Sequence, residues 1–356
     1  MKIFLFAVAM MLMCVACSDK RPKHGDAKTR GVEEVEPVPS LEEREKDQYN
    51  LKALAETLDG ALMVMNFNEG RAAVLNKDKK LGFIDKMGHV IIPFEYDLSP
   101  ASCSEGIICC RKENDSTYFF NRYGELLHTE PASLGIVGDF HEGFAIVRQG
   151  DLYGFIDRKF QPAFNGKKWR GAGPFHEGLA LVHDGQGLGF IDRWGKVVIP
   201  CKYGNPADRY QDGFHEGLAP VYDRSSGCYG YINKDGEMVL TLEKGRKGER
   251  FSEGLALVRE QGNPLGYIDR TGTLVLDLHG EYVDASVFSE NRACVKRGNF
   301  NGFIDRDGKL VIPCCFMSLG MFNEGLAPVM KHNRTGHHAG YINRAGVGSF
   351  KYYSNE

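Results

Sequence analysis

The stretch that decides the fold is residues 175–200, which read FHEGLALVHDGQGLGFIDRWGKVVIP. It contains an aromatic-x-Glu-Gly turn, a short apolar run, a polar loop, a second run that opens with Gly and an aromatic residue, and a final Val-Ile-Pro. Short apolar runs separated by Gly- and Asp-containing turns are typical of β-strands joined in hairpins. This stretch therefore predicts a small antiparallel β-unit.

The same phrase recurs eight times between residues 61 and 356. Its copies begin near residues 67, 103, 140, 175, 214, 251, 288 and 322, at intervals of 34 to 39 residues. The aromatic anchor is Phe in seven copies, and Cys103 takes its place in the second. A period kept this closely indicates units that bury their apolar faces against one another. We predict an all-β protein, a tandem array of eight three-stranded antiparallel β-meander repeats.

The three strands of the unit at 175–200 are predicted at 179–182, 189–192 and 196–200. The first is apolar on both faces and should be buried on both. The second ends in a tight turn, where the side chain of Asp192 can bond the backbone two residues on and Gly195 is free to take a positive φ. We expect Pro200 to end the third strand, because its nitrogen cannot donate to a ladder.

A glycine opens the second strand in seven copies. Glycine inside a strand is unfavourable unless another backbone or ring passes close by. We expect the neighbour to be an aromatic ring of the adjacent unit. The positions are Gly82, Gly154, Gly189, Gly230, Gly266, Gly302 and Gly340.

Eight such units could spiral as an open β superhelix (a solenoid) or close into a propeller-like ring. Residues 40–60 bear on the choice, since Ser40 and Glu43 form a capping box and apolar residues at helical spacing follow up to Gly60. A short N-terminal capping helix would cover the exposed end of an open array. Propeller blades also normally have four strands. We therefore expect the open array, with the closed ring as the alternative.

The repeated phrase resembles the WG-repeat (KWG) family over all eight units. The matching elements are the Glu-Gly-Leu-Ala-x-Val strand, the Gly-Tyr/Phe-Ile-Asp strand and the Gly-Lys-x-Val-Ile-Pro end. The tryptophan that names the family is replaced in every copy, so any role carried by that residue is not implied here. The resemblance implies a bacterial all-β repeat protein. The replacing residues are Leu81, Thr117, Tyr153, Leu188, Tyr229, Leu265, Asn301 and Ala339.

The N-terminus has the features of a secretory leader. Lys2 precedes an apolar stretch at 3–13, which is too short to span a bilayer and ends before Cys17. A small residue followed by Cys at this place resembles a lipobox, although Cys14 stands where Leu is usual. We predict a lipoprotein signal peptide at 1–16, lipidation of Cys17 and a disordered tether at 17–39. The alternative is an ordinary signal peptide cleaved near Ala16. The protein would be exported and membrane-anchored, on a side of the membrane that the sequence leaves open.

Two ladders of polar residues recur with the repeat. An active site needs one or two carboxylates in unlike environments, whereas each ladder offers eight equivalent positions. The Asp ladder has Asn in three copies, which keeps a turn acceptor but cannot transfer a proton. We therefore predict structural roles for both ladders and no catalytic residue. The first comprises Glu69, Glu105, Glu142, Glu177, Glu216, Glu253, Glu290 and Glu324, and the second Asp85, Asn121, Asp157, Asp192, Asn233, Asp269, Asp305 and Asn343.

Histidines are the weak candidates for a metal site. His141, His176 and His215 occupy the same turn position in three successive repeats, and stacked units could bring them into a stripe. Other copies carry Ser or Asn there, which is typical of a solvated turn. The last loop contains His332, His337 and His338, with no accompanying Cys or Asp pattern. We predict no metal and no cofactor.

Eight cysteines follow the leader. They show no C-x-x-C spacing, so neither zinc nor a thioredoxin-like site is indicated. We expect buried thiols, and the adjacent pairs at 109–110 and 314–315 are the places where oxidation could occur in an exported chain. Their positions are Cys103, Cys109, Cys110, Cys201, Cys228, Cys294, Cys314 and Cys315.

The sequence favours a binding or scaffolding surface of a bacterial envelope over an enzyme. Net charge is −3 and no basic face is concentrated, so a nucleic-acid partner is not expected. The expected partners are a protein, peptide or glycan of the envelope, and the membrane through the acyl chains. The alternative is a periplasmic hydrolase or carbohydrate-active protein using an inter-repeat groove. The variable hairpin loops would form the binding face, at 76–81, 112–117, 148–153, 183–188, 222–229, 259–265, 296–301 and 330–339.

Overall fold

The structure is a computed structural model that describes residues 48–97, 102–112, 116–131, 135–136, 138–204, 213–333 and 336–349, with the backbone alone for 136, 332–333 and 336–337. One helix, α1 (Leu51–Thr57), precedes the strands. The predicted leader and tether, Cys17 included, and the predicted capping box at 40–43 lie outside the described residues.

The described strands form eight antiparallel sheets, each made of strands consecutive in sequence. We call each sheet a blade. The first is β1 (Met63–Val64), β2 (Arg71–Leu75), β3 (Leu81–Asp85) and β4 (Val90–Tyr96); the second is β5 (Cys103–Ser104), β6 (Ile107–Arg111), β7 (Ser116–Asn121) and β8 (Leu126–Pro131); the third is β9 (Gly135–Ile136), β10 (Phe144–Gln149) and β11 (Leu152–Asp157). The fourth is β12 (Gly171–His176), β13 (Leu179–His183), β14 (Leu188–Asp192) and β15 (Val197–Tyr203); the fifth is β16 (Ala219–Asp223), β17 (Cys228–Ile232) and β18 (Met238–Thr241). The sixth is β19 (Arg246–Ser252), β20 (Leu255–Glu260), β21 (Asn263–Ile268) and β22 (Leu274–Asp277); the seventh is β23 (Asp284–Ala285), β24 (Ala293–Arg297), β25 (Phe300–Ile304) and β26 (Leu310–Phe316); the eighth is β27 (Ser318–Leu319), β28 (Leu326–Asn333) and β29 (Gly336–Asn343).

Five of these blades have four strands, so the prediction of three-stranded units is wrong for them. The additional strand includes the anchor or lies just before it, and it pairs with the strand that follows the Glu-Gly turn, as β12 does with β13. Several of these first strands have only two residues, as in β1 and β5. A segment that short shows no apolar alternation from which a strand could be predicted.

The third strand of the predicted unit does not end at its proline. β15 continues through Pro200 to Tyr203, and its register with β14 shifts on both sides of Phe190. Such a shift marks a β-bulge. β15 pairs only with β14, and an edge strand tolerates proline because the missing N–H would face away from the ladder.

The repeated glycine lies beside the backbone of its own blade, so the prediction of an aromatic neighbour from the adjacent unit is wrong. A Cβ built on Gly189 would lie 2.7 Å from the amide nitrogen of Cys201, in the bulged part of β15. Gly302 is similarly close to Cys314, at 2.8 Å. Gly154 is the exception, with its nearest neighbour at 3.6 Å, because the third blade has a 3-10 turn at Phe164–Gly166 where other blades have an outer strand.

Aromatic pairs join successive blades. The ring after the strand-opening glycine contacts the anchor Phe of the next blade, as Phe190 does Phe214 at 4.8 Å between centroids. The pairs of Tyr231 with Phe251 and of Tyr267 with Phe288 are equivalent, and their buried rings are at most 1% exposed. Burying one such ring contributes about 1.5–3 kcal/mol relative to leaving it exposed. Each interface between blades therefore has its own apolar cluster.

The same pair joins the eighth blade to the first, so the array is closed and the expected open superhelix is wrong. Tyr341 contacts Phe67 at 4.7 Å between centroids, and its hydroxyl donates to the Met65 carbonyl at 2.7 Å. Lys86 and Glu324 form an ion pair across this junction at 2.8 Å. The alternative holds: the eight sheets form a closed ring, a β-propeller.

The helix lies at this junction and is not the cap of an open end. Leu54 and Leu58 pack in one cluster with Tyr341 and Phe67, and the Thr57 hydroxyl donates to the Gly88 carbonyl at 2.6 Å. At other junctions the equivalent turn glycine contacts the outer strand of the preceding blade, as Gly272 does with Leu240. Since the described part of the eighth blade has no fourth strand, α1 occupies the place of its outer strand.

Candidate functional site

The eight glutamates of the first ladder form a ring of contacts between blades. Each carboxylate accepts a hydrogen bond from the backbone N–H that follows the corresponding glutamate of the next blade, and the shortest distances are 2.7–3.1 Å. The last bond runs from Gly70 of the first blade to Glu324 of the eighth. These carboxylates occupy near-equivalent surroundings, unlike an acid–base pair. The ring includes Glu105 and Glu290, whose repeats depart most from the common sequence.

A basic residue that the sequence analysis missed completes this ring. It follows the Asp or Asn of the second ladder in all eight copies, and in seven it donates to the backbone carbonyl of the preceding blade's glutamate at 2.8–3.1 Å. In the eighth, Arg344 donates to the Glu290 carboxylate. The recurrence of Lys or Arg at this place was the available signal. The residues are Lys86, Arg122, Arg158, Arg193, Lys234, Arg270, Arg306 and Arg344.

The Asp and Asn side chains of the second ladder close the turns between the last two strands of each blade. Oδ1 of Asp192 accepts from the N–H groups of Trp194 and Lys196, both at 3.0 Å. Oδ1 of Asn233 accepts from the equivalent residues at 3.1 and 2.9 Å. A single acceptor oxygen makes both hydrogen bonds. Asp and Asn each have one, so either residue can occupy this position. The same pair of bonds is made by Asp85, Asn121, Asp157, Asp269, Asp305 and Asn343.

The three turn histidines lie in a row across adjacent blades. The ring centroids of His141 and His176 are 5.2 Å apart, and those of His176 and His215 are 4.5 Å apart. Burial lowers the pKa of His176 and of His215 to about 4, and a neighbouring histidine and Arg250 act in the same direction. Within the described ranges, no three His, Cys, Asp or Glu side chains are placed to hold a metal ion. His176 and His215 are therefore neutral rings near pH 7, and the row is held by contacts between rings.

At four other copies of this turn position, a side chain bonds the next blade. Its hydroxyl or amide group donates a hydrogen bond to the backbone carbonyl of the next blade's anchor Phe, as Ser252 does to Phe288 at 2.7 Å. The histidine row thus replaces hydrogen bonds with ring contacts in the middle of the array. The other donors are Ser104, Ser289 and Asn323. Of the last-loop histidines, the side chains at 332 and 337 are not described.

The eight cysteines that follow the leader are free thiols. Cys109 and Cys110 alternate on β6 and pack in different clusters, so the adjacent pair is divided between two blade interfaces. Burial raises the pKa of Cys103 and of Cys109 to about 12. A thiol with so high a pKa carries almost no thiolate and is a poor nucleophile.

The variable hairpin loops lie on one face of the ring. In a four-stranded antiparallel blade, the Glu-Gly turn and the Asp turn lie at one end, and the middle hairpin and the connection to the next blade lie at the other. Because the glutamate ring joins the first ends of all blades, all middle hairpins share the opposite end. We call this end the loop face. Residues 113–115 and 334–335 of these loops lie outside the described residues.

Among the clefts that the described residues line, two open between blades beside the hairpins and connections of the loop face. One, of about 410 Å³, lies between the third and fourth blades and contains a single carboxylate, Asp184. The other, of about 360 Å³, lies between the sixth and seventh and contains only Glu260. Neither cleft pairs two unlike carboxylates, the arrangement that a glycoside hydrolase uses.

Comparison with known proteins identifies the family of the repeat. The family model described as "WG containing repeat" matches residues 82–114, 136–153, 153–183, 189–223, 229–244, 266–299 and 302–334. Curated protein sequences give no match. Similar solved structures include BamB from Moraxella catarrhalis, at 12% identity over 65% of this chain and 80% of that chain with a TM-score of 0.42. Others are the dihydro-heme d1 dehydrogenase NirN in complex with DHE (14%, 83% and 73%, 0.44) and a eukaryotic initiation factor (10%, 81% and 86%, 0.48).

Proposed function

This chain belongs to the WG containing repeat family, and from that premise we propose that it is an exported, lipid-anchored propeller whose loop face binds a protein, peptide or glycan of the bacterial envelope. One observation carries the binding role: the variable hairpins of eight blades lie together on one face, while the recurrent residues form the frame. Variable residues on a repeated frame are how such proteins build binding surfaces.

Export and anchoring are supported by the leader. Lys2, the apolar stretch at 3–13 and Cys17 are arranged as in a lipoprotein signal. Within the part of the chain that the structure describes, no helix has the length and apolar content needed to cross a bilayer. An acylated Cys17 would hold the protein at a membrane.

Cell fractionation tests the anchor. Cys17→Ser removes the acylated thiol and should move the protein from the membrane fraction to the soluble fraction of the envelope. Cys315→Ser, at an exposed cysteine, is the matched control and should stay with membranes. Unchanged membrane association of the Cys17 variant would show that the lipoprotein assignment is wrong.

Affinity capture from envelope extract tests the loop face. A triple alanine variant at Lys77, Gln186 and Arg224, all exposed on that face, should lose the captured partner. The control carries alanine at Met87, Tyr123 and Trp194, which are exposed on the opposite face, and should retain it. Loss of the partner in the control alone would place binding on the other face.

A further inference from the structure

The cleft between the third and fourth blades has walls of two kinds. Its basic side comes from the connection between the blades, residues 167–170, which read KKWR. Its apolar side includes Leu152 of β11 and Val197 of β15, which are 36% and 40% exposed. Accessible apolar side chains beside cations form a surface that suits a ligand with both apolar and negatively charged groups.

The cations of this cleft are not neutralised by the fold. Among the described residues, neither the Lys167 ammonium nor the Arg170 guanidinium has a carboxylate partner; Lys167 lies 5.3 Å from the centre of the Trp169 ring. Lys168 donates to the side-chain amide of Gln149, which carries no charge. Three positive charges therefore face one carboxylate.

That carboxylate is already engaged in its own turn. Oδ1 of Asp184 accepts from the N–H groups of Gln186 and Gly187, at 2.8 and 3.0 Å. It holds the hairpin between β13 and β14, and it also interacts with the Cys201 thiol on the same cleft wall. The cleft is thus left with an excess of positive charge, in a protein whose net charge is −3.

We propose that this cleft binds an extended acidic peptide segment, with carboxylates against Lys167 and Arg170 and apolar side chains against Leu152 and Val197. The inference rests on the proposed binding role of the loop face and names the ligand chemistry of one part of it. Arg is suited to a carboxylate because its planar guanidinium can donate two parallel hydrogen bonds.

The same geometry argues against the other polyanions. The charge is confined to one cleft, whereas a nucleic acid needs a long basic track. Trp169 is only 4% exposed and offers no face on which a sugar ring could stack, whereas the accessible Leu152 and Val197 favour the apolar side chains of a peptide. A volume of about 410 Å³ suits a few amino-acid residues.

Fluorescence anisotropy on the purified full-length protein tests the proposal. The probe is a fluorescein-labelled pentapeptide of leucine, glutamate, valine, glutamate and leucine, and the comparison probe has glutamine for glutamate. The acidic probe should bind at least about tenfold more tightly than the glutamine probe, and added salt should weaken it, because exposed charges are screened.

Paired variants locate the binding. Lys167→Gln with Arg170→Gln should lower affinity for the acidic probe at least about tenfold. Lys159→Gln with Lys196→Gln removes the same charge from exposed positions at the Asp turns of the third and fourth blades, on the opposite face, and should leave the affinity for the acidic probe unchanged. Circular dichroism and thermal unfolding check that both variants are folded. Equal loss in both variants, or equal binding of the two probes, overturns the proposal.

A second readout uses the chain's own fluorescence. The chain has two tryptophans, so Trp194→Phe, at a residue 83% exposed, leaves Trp169 alone. The acidic probe, unlabelled, should then change the emission of Trp169. Tight binding of an oligouronate without binding of the peptide would overturn the ligand class. If the Lys167→Gln, Arg170→Gln variant still captures the partner, the proposed role of the cleft is wrong, while the proposed binding role of the loop face is unaffected.

Discussion

The glutamate of each aromatic-x-Glu-Gly turn has a left-handed backbone, with φ between 51° and 55° in all eight copies. Residues with a Cβ rarely adopt this conformation, which costs on the order of 1–3 kcal/mol where it is imposed. A glycine or asparagine would meet the turn's backbone requirement more easily. The carboxylate explains the choice, because this side chain reaches the next blade and accepts a hydrogen bond from its N–H. The sequence predicts structural roles for this ladder, but the acceptor's partner lies one blade away and the basic residue was not predicted.

At residue scale, Gly189→Ala should lower the free energy of unfolding by about 1–3 kcal/mol. The new methyl would lie 2.7 Å from the Cys201 nitrogen, and the bulged backbone cannot yield without breaking the pairing of β14 with β15. Gly154→Ala is the control, because its nearest neighbour is 3.6 Å away, and it should change stability by about 0.5 kcal/mol or less. Urea unfolding measures both. Equal effects would mean that overpacking is not the cause.

At the scale of the element, each blade is a meander, and its turn end and its hairpin end have different roles. The Glu-Gly and Asp turns hold neighbouring blades together, and the middle hairpins are free to vary. Within the turn end, the third to fifth blades depart from the rest, since imidazoles replace the donors found at Ser104, Ser252, Ser289 and Asn323. Glu177, Glu216 and Arg250 also act on these rings.

This histidine row should make stability depend on pH. The pKa of His176 and of His215 is about 4 in the folded protein, below the ordinary value of 6.5. Between these values the unfolded chain binds more protons, so the free energy of unfolding should fall as pH drops from about 6.5 toward about 4. The double variant His176→Ser with His215→Ser should flatten this dependence, and serine can bond the next blade as it does elsewhere.

Thermal unfolding across that pH range measures the effect. His89→Ser is the control, because its side chain is 73% exposed and it lies outside the row. The assignment fails if the double variant keeps the parent's slope, or if the control flattens the slope equally.

At the scale of the whole molecule, the ring is closed by side chains and not by a shared sheet. Every blade is built from consecutive strands, so within the described ranges the first and eighth blades meet through packing, hydrogen bonds and the ion pair of Lys86 with Glu324. Asn323 donates to the Phe67 carbonyl at 2.7 Å, as Ser252 donates to Phe288. The helix α1 adds the contact that the described part of the eighth blade lacks. The N-terminal and C-terminal parts of the propeller therefore depend on each other.

Leu54→Ala should weaken this closure. Leu54 is 0% exposed and packs with Tyr341 of the eighth blade and Phe67 of the first, and such a truncation costs about 2–5 kcal/mol. Because contacts in a repeat array are local, amide hydrogen exchange should rise first in the first and eighth blades. Leu62→Ala, at a residue 42% exposed, should leave exchange there unchanged. Uniform acceleration around the ring would argue against a closure role.

Much of the repeat was readable from the sequence. The phrase at 175–200 predicted β13, β14 and the Asp192 turn, and its recurrence predicted eight antiparallel units, because strands and turns are specified by nearest neighbours and their period. The short first strands, the passage of β15 through Pro200 and the backbone beside Gly189 were not predicted. Pairing across a bulge depends on residues ten or more positions away, which a local pattern does not record.

Closure was decided by tertiary structure alone. An open spiral and a ring use the same blade and the same pattern of buried residues, and they differ in the small rotation from one blade to the next. That rotation accumulates over eight interfaces until Tyr341 reaches Phe67 and Glu324 reaches Gly70. The position of the loops on one face follows from the ring. The sequence by itself determined the repeating unit and its turns, whereas the angle between units, set by side-chain packing at each interface, determined the propeller.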